Sequence, residues 1–464
     1  MKNLLYLLVL FLIPGLLYSS DALLNKSEKK EECGTIQALL DFQKGIRRPR
    51  PASGPKYVYK THFIIHFDTV GSNATTRAYA ESIGKFFEHA WAKQVDTLGW
   101  DAPPPDNNNG GDNRYDVYLR DVGGGVTYGE DYGPDPNQED ITSWIEIQHN
   151  NLAWCRAGVP HEFNHACQFS YSGGEGGWWY ENTSEWMEKI TVGIDHGRIG
   201  GGGDNPDPLD DPHVTINYEG GGYQYAGGLW PRFLGEYWAV ICPRRIWELC
   251  GLHWGDYTLK DTDSILKIYY DSNLAKMLGH YAIWRYFTNT RSDNRHFSEG
   301  SSYILSAIIR NHNTYPASGD QGIFNPSGPG GCNFITFTNI GNYRLTIYFD
   351  GQNGYDWAAY VLGIMSNGES YEYKILLEPT QDTGRISIPG WDYSTVVLIP
   401  VVTHWTSTAS NLTYSYQVSR SSADKNIASE EIPSDYTGFF ISPNPTKNNL
   451  RINYFLPHNT KANL

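Results

Sequence analysis

At 464 residues the chain is longer than one ordinary domain, and a scale of about 150 residues per domain predicts two to four. With 40% apolar residues, 15 Trp, 33 Tyr and 18 Phe, a disordered chain is excluded, because such chains lack the large apolar side chains that build a core. A formal charge of −15 argues against a nucleic-acid surface and against an anionic membrane surface.

Met1 and Lys2 precede an apolar run over 4–18, and the small residues Ser19, Ser20 and Ala22 follow it. This is the pattern of a cleaved secretory signal over 1–22, and the run falls short of the ~20 residues that span a bilayer. A secreted protein, extracellular or at the cell surface and without a membrane span, is expected. Export makes Cys33, Cys155, Cys167, Cys242, Cys250 and Cys332 potential disulfide partners. Cys242 and Cys250 would lie about 12 Å apart on one helix, too far to bond each other.

Residues 23–56 are polar, then basic and Pro-rich, and read as a leader, linker or propeptide. The pattern tightens over 57–315. A strand is expected over 57–68, an amphipathic helix over 75–98, and further strands over 115–121, 126–132 and 143–148. Helices are expected over 159–170, 178–190, 226–239, 274–288 and 298–310, with a Gly/Asp/Pro loop over 200–212. Residues 316–332 read as a Gly/Pro/Ser linker. Seven short β-rich runs over 333–420 predict a β-sandwich: 334–338, 343–349, 357–365, 371–377, 385–388, 396–402 and 412–418. A second linker is expected over 421–437, before a tail over 438–464.

The chemistry concentrates in Val-Pro-His161-Glu162-Phe-Asn-His165. Histidines at i and i+4 share one helical face and can reach one metal ion, while Glu162 stands beside them to act on a metal-polarised water. Pro160 suits a first helical turn, and Val159, Phe163 and Ala166 fall on the opposite, core-facing side. A third ligand is needed. Glu181, Glu185 and Glu188 share one face of the next helix, where like charges repel unless a cation or a histidine neutralises them. The glycines of 173–177 let the chain reverse between the two helices.

HEFNH followed by W-x-x-E-x-x-x-E-W resembles the gluzincin class of zinc metallopeptidases, and most closely a group of secreted bacterial metalloproteases. The resemblance covers about 57–310 and implies an α+β zincin-like domain, a mixed sheet plus helices carrying the zinc ligands. It implies Zn2+ held by His161, His165 and Glu181, with Glu185 as a partner behind a zinc-bound His. Glu185 as the ligand itself remains an alternative. Asn182 stands where the family usually has Gly. The family's oxyanion donor would be Tyr225 in Gly222-Tyr-Gln-Tyr-Ala-Gly-Gly, with Tyr223 the poorer match in spacing. The strand over 143–148 resembles the edge strand on which such enzymes pair an extended peptide. A protein or peptide substrate is implied.

Other positions carry less. His62 and His66 lie about 13 Å apart on one strand, too far for one metal, and read as packing residues. Asp204, Asp207, Asp210 and Asp211 could hold Ca2+, although EF-hand spacing is absent. Cys33 is a candidate leader thiolate for the zinc, with nothing else in the sequence to support it. The tail Ile441-Ser-Pro-Asn-Pro to Leu-Pro457 resembles the start of a type IX secretion sorting domain, cut short at Leu464, and implies a partner in the secretion machinery. The sequence thus leads to a secreted metalloendopeptidase, with a catalytically inactive surface-binding or adhesion protein on the same scaffold as the alternative.

Overall fold

The computed structural model describes residues 32–51, 56–133, 139–194, 196, 199–200, 206–293, 295–422, 439–441 and 452–454. The expected signal, the 421–437 linker beyond Ser422 and the Pro-Asn-Pro turn of the tail lie outside them. Among the described residues no helix is long and apolar enough to cross a membrane. The fold is mixed α+β.

The first unit is built on a six-stranded sheet. Its strands are β1 (Glu32–Cys33), β2 (Lys56–Tyr59), β3 (Phe63–Phe67), β4 (Tyr115–Arg120), β5 (Gly124–Tyr132) and β6 (Ile141–Gln148). They lie in the order β1-β5-β6-β4-β3-β2. β3, β4 and β6 are mutually parallel, whereas β5 runs antiparallel to β6. The 143–148 segment is therefore an interior strand, and the edge expected there belongs to β5 and the short β1 paired with it.

The helices on one face are α2 (Arg77–Trp91), α3 (Leu152–Gln168) and α4 (Gly177–Val192). In α2, Ala80, Ile83, Phe87 and Ala90 are buried at helical spacing, and Thr76 caps the first turn by accepting from the Tyr79 amide. The helix then widens into a π turn over Ala92–Thr97. α3 starts at Asn151, whose side chain accepts from the Trp154 amide. Pro160 thus sits deep inside the helix rather than in its first turn, and its missing N–H leaves the Arg156 carbonyl without a helical partner.

Over its described residues, 32–51, the leader is folded. α1 (Thr35–Gln43) buries Leu39 and Phe42 in the main core. The basic run after it crosses the other face of the sheet, where Arg48 lies over the Tyr128 ring and pairs with Glu146. Arg50, only 8% exposed, pairs with Asp106 at 2.6 Å, Glu130 at 2.7 Å and Asp116. His66 also pairs with Asp116, at 2.6 Å, and His62 stacks on Trp91 and pairs with Glu88. Both histidines are packing residues.

Further helices follow: α5 (Tyr223–Ala226), α6 (Leu229–Tyr237), α7 (Cys242–Cys250), α8 (Thr258–Tyr270) and α9 (Leu274–Tyr286). The helix expected over 298–310 is absent, and only a single 3-10 turn at Gly300–Ser302 forms there. All six cysteines are free thiols, so the disulfides suggested by export do not form.

The second unit starts earlier than the apparent linker. β7 (Arg310–His312), β9 (Ile335–Thr338), β11 (Trp357–Ile364), β12 (Ser370–Ile375) and β14 (Thr395–Val402) form one sheet. β8 (Ala317–Asp320), β10 (Tyr343–Gly351), β13 (Thr383–Pro389) and β15 (Tyr414–Ser422) form the other. Their inner faces share a core of Leu345, Ile347, Phe349, Val361, Leu398 and Val418. β14 reads as a continuous apolar run because its outer residues Val397, Ile399 and Val401 pack on Ala282, Ile283 and Tyr286 of α9. Arg285, fully buried, donates to the carbonyls of Pro212 and Gly330 across this junction. In the tail, β16 (Phe439–Ile441) pairs with β17 (Ile452–Tyr454).

Candidate metal centre

α3 and α4 are buried nearly all round, which is how a chain brings charged side chains into an interior. His161 and His165 lie one turn apart, and their Nε2 atoms approach to 3.1 Å. Each imidazole is fixed from behind. Glu188 accepts from His161 Nδ1 at 3.0 Å, and a carboxylate only accepts, so the proton is on Nδ1. Gln168 gives its Nε2 to the Tyr180 carbonyl, which turns its Oε1 toward His165 Nδ1 at 2.7 Å. Both Nε2 lone pairs therefore face one point.

Glu181 completes that point. Its Oε2 lies 3.2 Å from His161 Nε2 and 3.8 Å from His165 Nε2. Neither of its oxygens has a hydrogen-bond partner, although the side chain is fully buried. Ligands about 2.0–2.1 Å from a tetrahedral ion stand roughly 3.3–3.4 Å apart. Two of the separations, 3.1 and 3.2 Å, lie near that spacing and the third, 3.8 Å, is longer; an unsatisfied buried carboxylate is costly unless a cation meets it. Cys33 Sγ, His161, His165 and Glu181 form a group whose ligand atoms all lie within 4.8 Å of one another. The site could hold a metal ion.

The electrostatics differ between the two imidazoles: burial would lower His161, but Cys33, Glu181 and Glu188 hold it well above the ordinary histidine range. Burial pushes His165 down to about 4, so it is neutral and ready to ligate. Burial would raise Glu181, but His161 and His165 hold it below the ordinary carboxylate range. Glu162 is raised by burial and lies close enough to feel the charges of His161 and Glu181. Its Oε2 accepts from the hydroxyls of Thr35 and Thr127, both at 2.9 Å, whereas its buried Oε1 has no partner.

Glu185 lies 3.7 Å from His161 Nδ1, against 3.0 Å for Glu188, so the carboxylate behind His161 is Glu188. His196 shares that carboxylate at 2.8 Å. A second group of potential ligands, His161, Glu185 and Glu188, surrounds the same ring nitrogen. Asn182, the departure from Gly, donates to the Gln224 carbonyl at 2.8 Å and so ties α4 to the turn carrying Tyr225. The Tyr225 hydroxyl reaches the Cys33 carbonyl at 3.2 Å.

Among the described residues the aspartates of the glycine loop form no such centre. Asp207 accepts from the amides of Leu209 and Asp210 in a local turn, and Asp204 lies outside the described residues. Among the described residues the two groups around His161 are the potential metal sites.

Sequence reasoning missed Glu188 as the brace, along with Thr127, Gln168 and the buried Gln94. Gln94 donates to the Pro160 carbonyl at 2.8 Å and accepts from Asn164 at 3.1 Å, steadying α3 from the π turn.

No protein-family profile and no curated protein matches the chain. The chain is similar to the pre-peptidase C-terminal domain of collagenase from Bacillus anthracis. The two are 13% identical, with 25% of this chain and 99% of that chain covered and a TM-score of 0.19, a likeness too slight to identify the fold.

Proposed function

We propose that the chain is an exported zinc metalloendopeptidase of zincin type. The observation that supports this best is the convergence of His161 Nε2, His165 Nε2 and an unsatisfied Glu181 carboxylate beside Glu162. His161, His165 and Glu181 would hold the ion, and zinc in such a site polarises both a water and a carbonyl. Glu162 takes a proton from the attacking water and passes it to the leaving amine, a role suited to a buried carboxyl whose affinity for protons is raised. Tyr225, whose hydroxyl reaches the Cys33 carbonyl at 3.2 Å, would donate to the carbonyl oxygen as charge develops there. β5 lies at the sheet edge next to the two residues of β1 and the Thr35 hydroxyl that takes its Thr127 amide, and it is the strand on which an extended peptide would pair.

The test is metal content and peptide cleavage of the wild type and of Glu162→Ala. Metal should stay at one ion per chain in both, while Glu162→Ala should lower cleavage by about 10²-fold or more. Absence of metal, or equal cleavage by the two proteins, would overturn the proposal in favour of a non-hydrolytic surface-binding protein.

A further inference from the structure

The stretch Cys33-Gly34-Thr35 touches every group the proposed reaction needs. Cys33 Sγ lies 3.3 Å from His165 Nε2 and accepts from the Thr35 amide at 3.4 Å. The Cys33 carbonyl occupies the Tyr225 hydroxyl at 3.2 Å. The Thr35 hydroxyl donates to Glu162 Oε2 at 2.9 Å and accepts from the Thr127 amide at 2.8 Å. Independently of the cysteine, the fully buried Glu181 carboxylate is aimed at the same point without a hydrogen-bond partner.

The backbone holds this stretch in register. Glu32 and Cys33 pair with Gly124 and Gly125 on the edge of β5, and the Gly34 amide donates to the Gly125 carbonyl at 3.0 Å. A Cβ at residue 34 would stand 2.6 Å from Val126 Cγ2, so only glycine lets the chain lie this close. Downstream, Leu39, Phe42 and Arg50 anchor the segment in the core and in the ion cluster across the sheet.

We propose that residues 32–35 are a stopper that, while bound, holds the enzyme at a low basal rate of cleavage. The Cys33 thiolate is the fourth ligand of the bound metal, Thr35 occupies the general base, and the Cys33 carbonyl occupies the oxyanion donor. The inference rests on the metallopeptidase reading. A catalytic site keeps one position open for water, and a set of two His, one Glu and one Cys leaves none open. Activation requires this segment to leave: the sulfur departs as a free thiol, drawing a proton from solvent, and water takes the vacated position.

The test uses the full chain loaded with Co2+ in place of zinc, for which a cysteine ligand gives a near-ultraviolet thiolate-to-cobalt absorption band. Wild type should show this band, and Cys33→Ser should lose it while still binding one ion. In wild type, labelling of Cys33 by a disulfide thiol reagent should quicken by about tenfold or more once the metal is chelated, since a bound thiolate is protected. The other five cysteines are buried, so the fast-reacting thiol is Cys33. Zinc-loaded Cys33→Ser should cleave peptide at least about tenfold faster than wild type, because the fourth position is then open to water.

A wild type that binds metal and depends on Glu162 for cleavage but shows no band would overturn the stopper and leave the peptidase standing. A band with no gain in cleavage by Cys33→Ser would do the same. A chain that binds no divalent metal would overturn both. Should Cys33→Ser fail to fold, the band and the thiol labelling of wild type decide the matter, with Cys33→Ala as the second variant expected to lose the band and raise cleavage.

Discussion

Gly125 stands where no side chain fits. A Cβ there would lie 2.5 Å from Glu162 Cγ and 2.6 Å from its Oε1. Gly125→Ala should therefore displace the base without touching the ligands, lowering peptide cleavage by about 10²-fold, a typical cost of a misplacement of about 1 Å. Metal per chain, measured by atomic emission, should stay unchanged, and a parallel loss of metal would sink this account. Behind the ligands, Glu188 fixes the tautomer of His161. Glu188→Gln should weaken metal binding by about 10–100-fold, read by competition with a chelating dye. A larger loss in Glu185→Gln than in Glu188→Gln would refute the assignment. The HEFNH pair was legible because a four-residue spacing places two imidazoles on one helical face whatever the rest of the chain does. Glu188 was not, because three carboxylates share one face of α4 and only the angle between α3 and α4 selects among them. Thr35, Gly125 and Thr127 were illegible for a different reason: pairing between β1 and β5 brings them to Glu162, and periodicity does not reveal pairing.

Among the elements, the leader departs furthest from its reading in the sequence. A basic, Pro-rich run suggests a solvated linker, yet Arg50 is buried among Asp106, Asp116 and Glu130, which come from three separate places in the chain. Arg50→Ala should leave those carboxylates buried without their cation and cost about 3 kcal/mol or more in urea unfolding. An unchanged midpoint would mean the leader contributes little to the fold. The glycine-rich turn between α3 and α4 carries a buried carboxyl of a different kind. Burial pushes Glu175 up to about 8; the Thr258 hydroxyl acts against this and the neighbouring Asp256 with it. The folded chain thus holds a proton that the unfolded chain, with an ordinary carboxyl near 4.3, has released. That stabilisation is complete below about pH 4 and is lost as pH rises toward 8. Thermal midpoints should fall between pH 5 and pH 8 through this group, and Glu175→Gln should flatten the slope. A mutant as steep as wild type would rule the residue out as its source. Seven of the nine strands of the sandwich were legible to within about four residues, since turn residues punctuate alternating runs, whereas β7 and β8 lie where the sequence reads as a helix end and a linker. The helix expected over 298–310 failed because its apolar residues serve as contacts for an extended connection, with Tyr303 and Ser306 buried against neighbouring loops rather than along one helical face.

At the scale of the whole molecule, α9 is a wall common to both units. Its inner side belongs to the core beneath the candidate metal centre through Leu278 and Tyr281, and its outer side meets the sandwich through Tyr286 and Phe334, whose ring centroids lie 5.6 Å apart. Phe334→Ala should cost about 3–5 kcal/mol and should shift a single calorimetric transition that melts both units together. Two separate transitions, with only the later one shifted, would show that the sandwich folds on its own. The abundance of aromatic residues is partly accounted for here, because rings fill the junction as well as the two cores.

The shared wall also bears on inheritance. A module joined by a free linker can be gained, lost or shuffled at its boundary with little harm to what remains. A coding break near residue 310 would strip α9 of its outer cover and expose the second face of β14, a strand apolar on both sides. The two units are therefore bound to be exchanged as one piece, and substitutions on either side of the junction must be compensated across it.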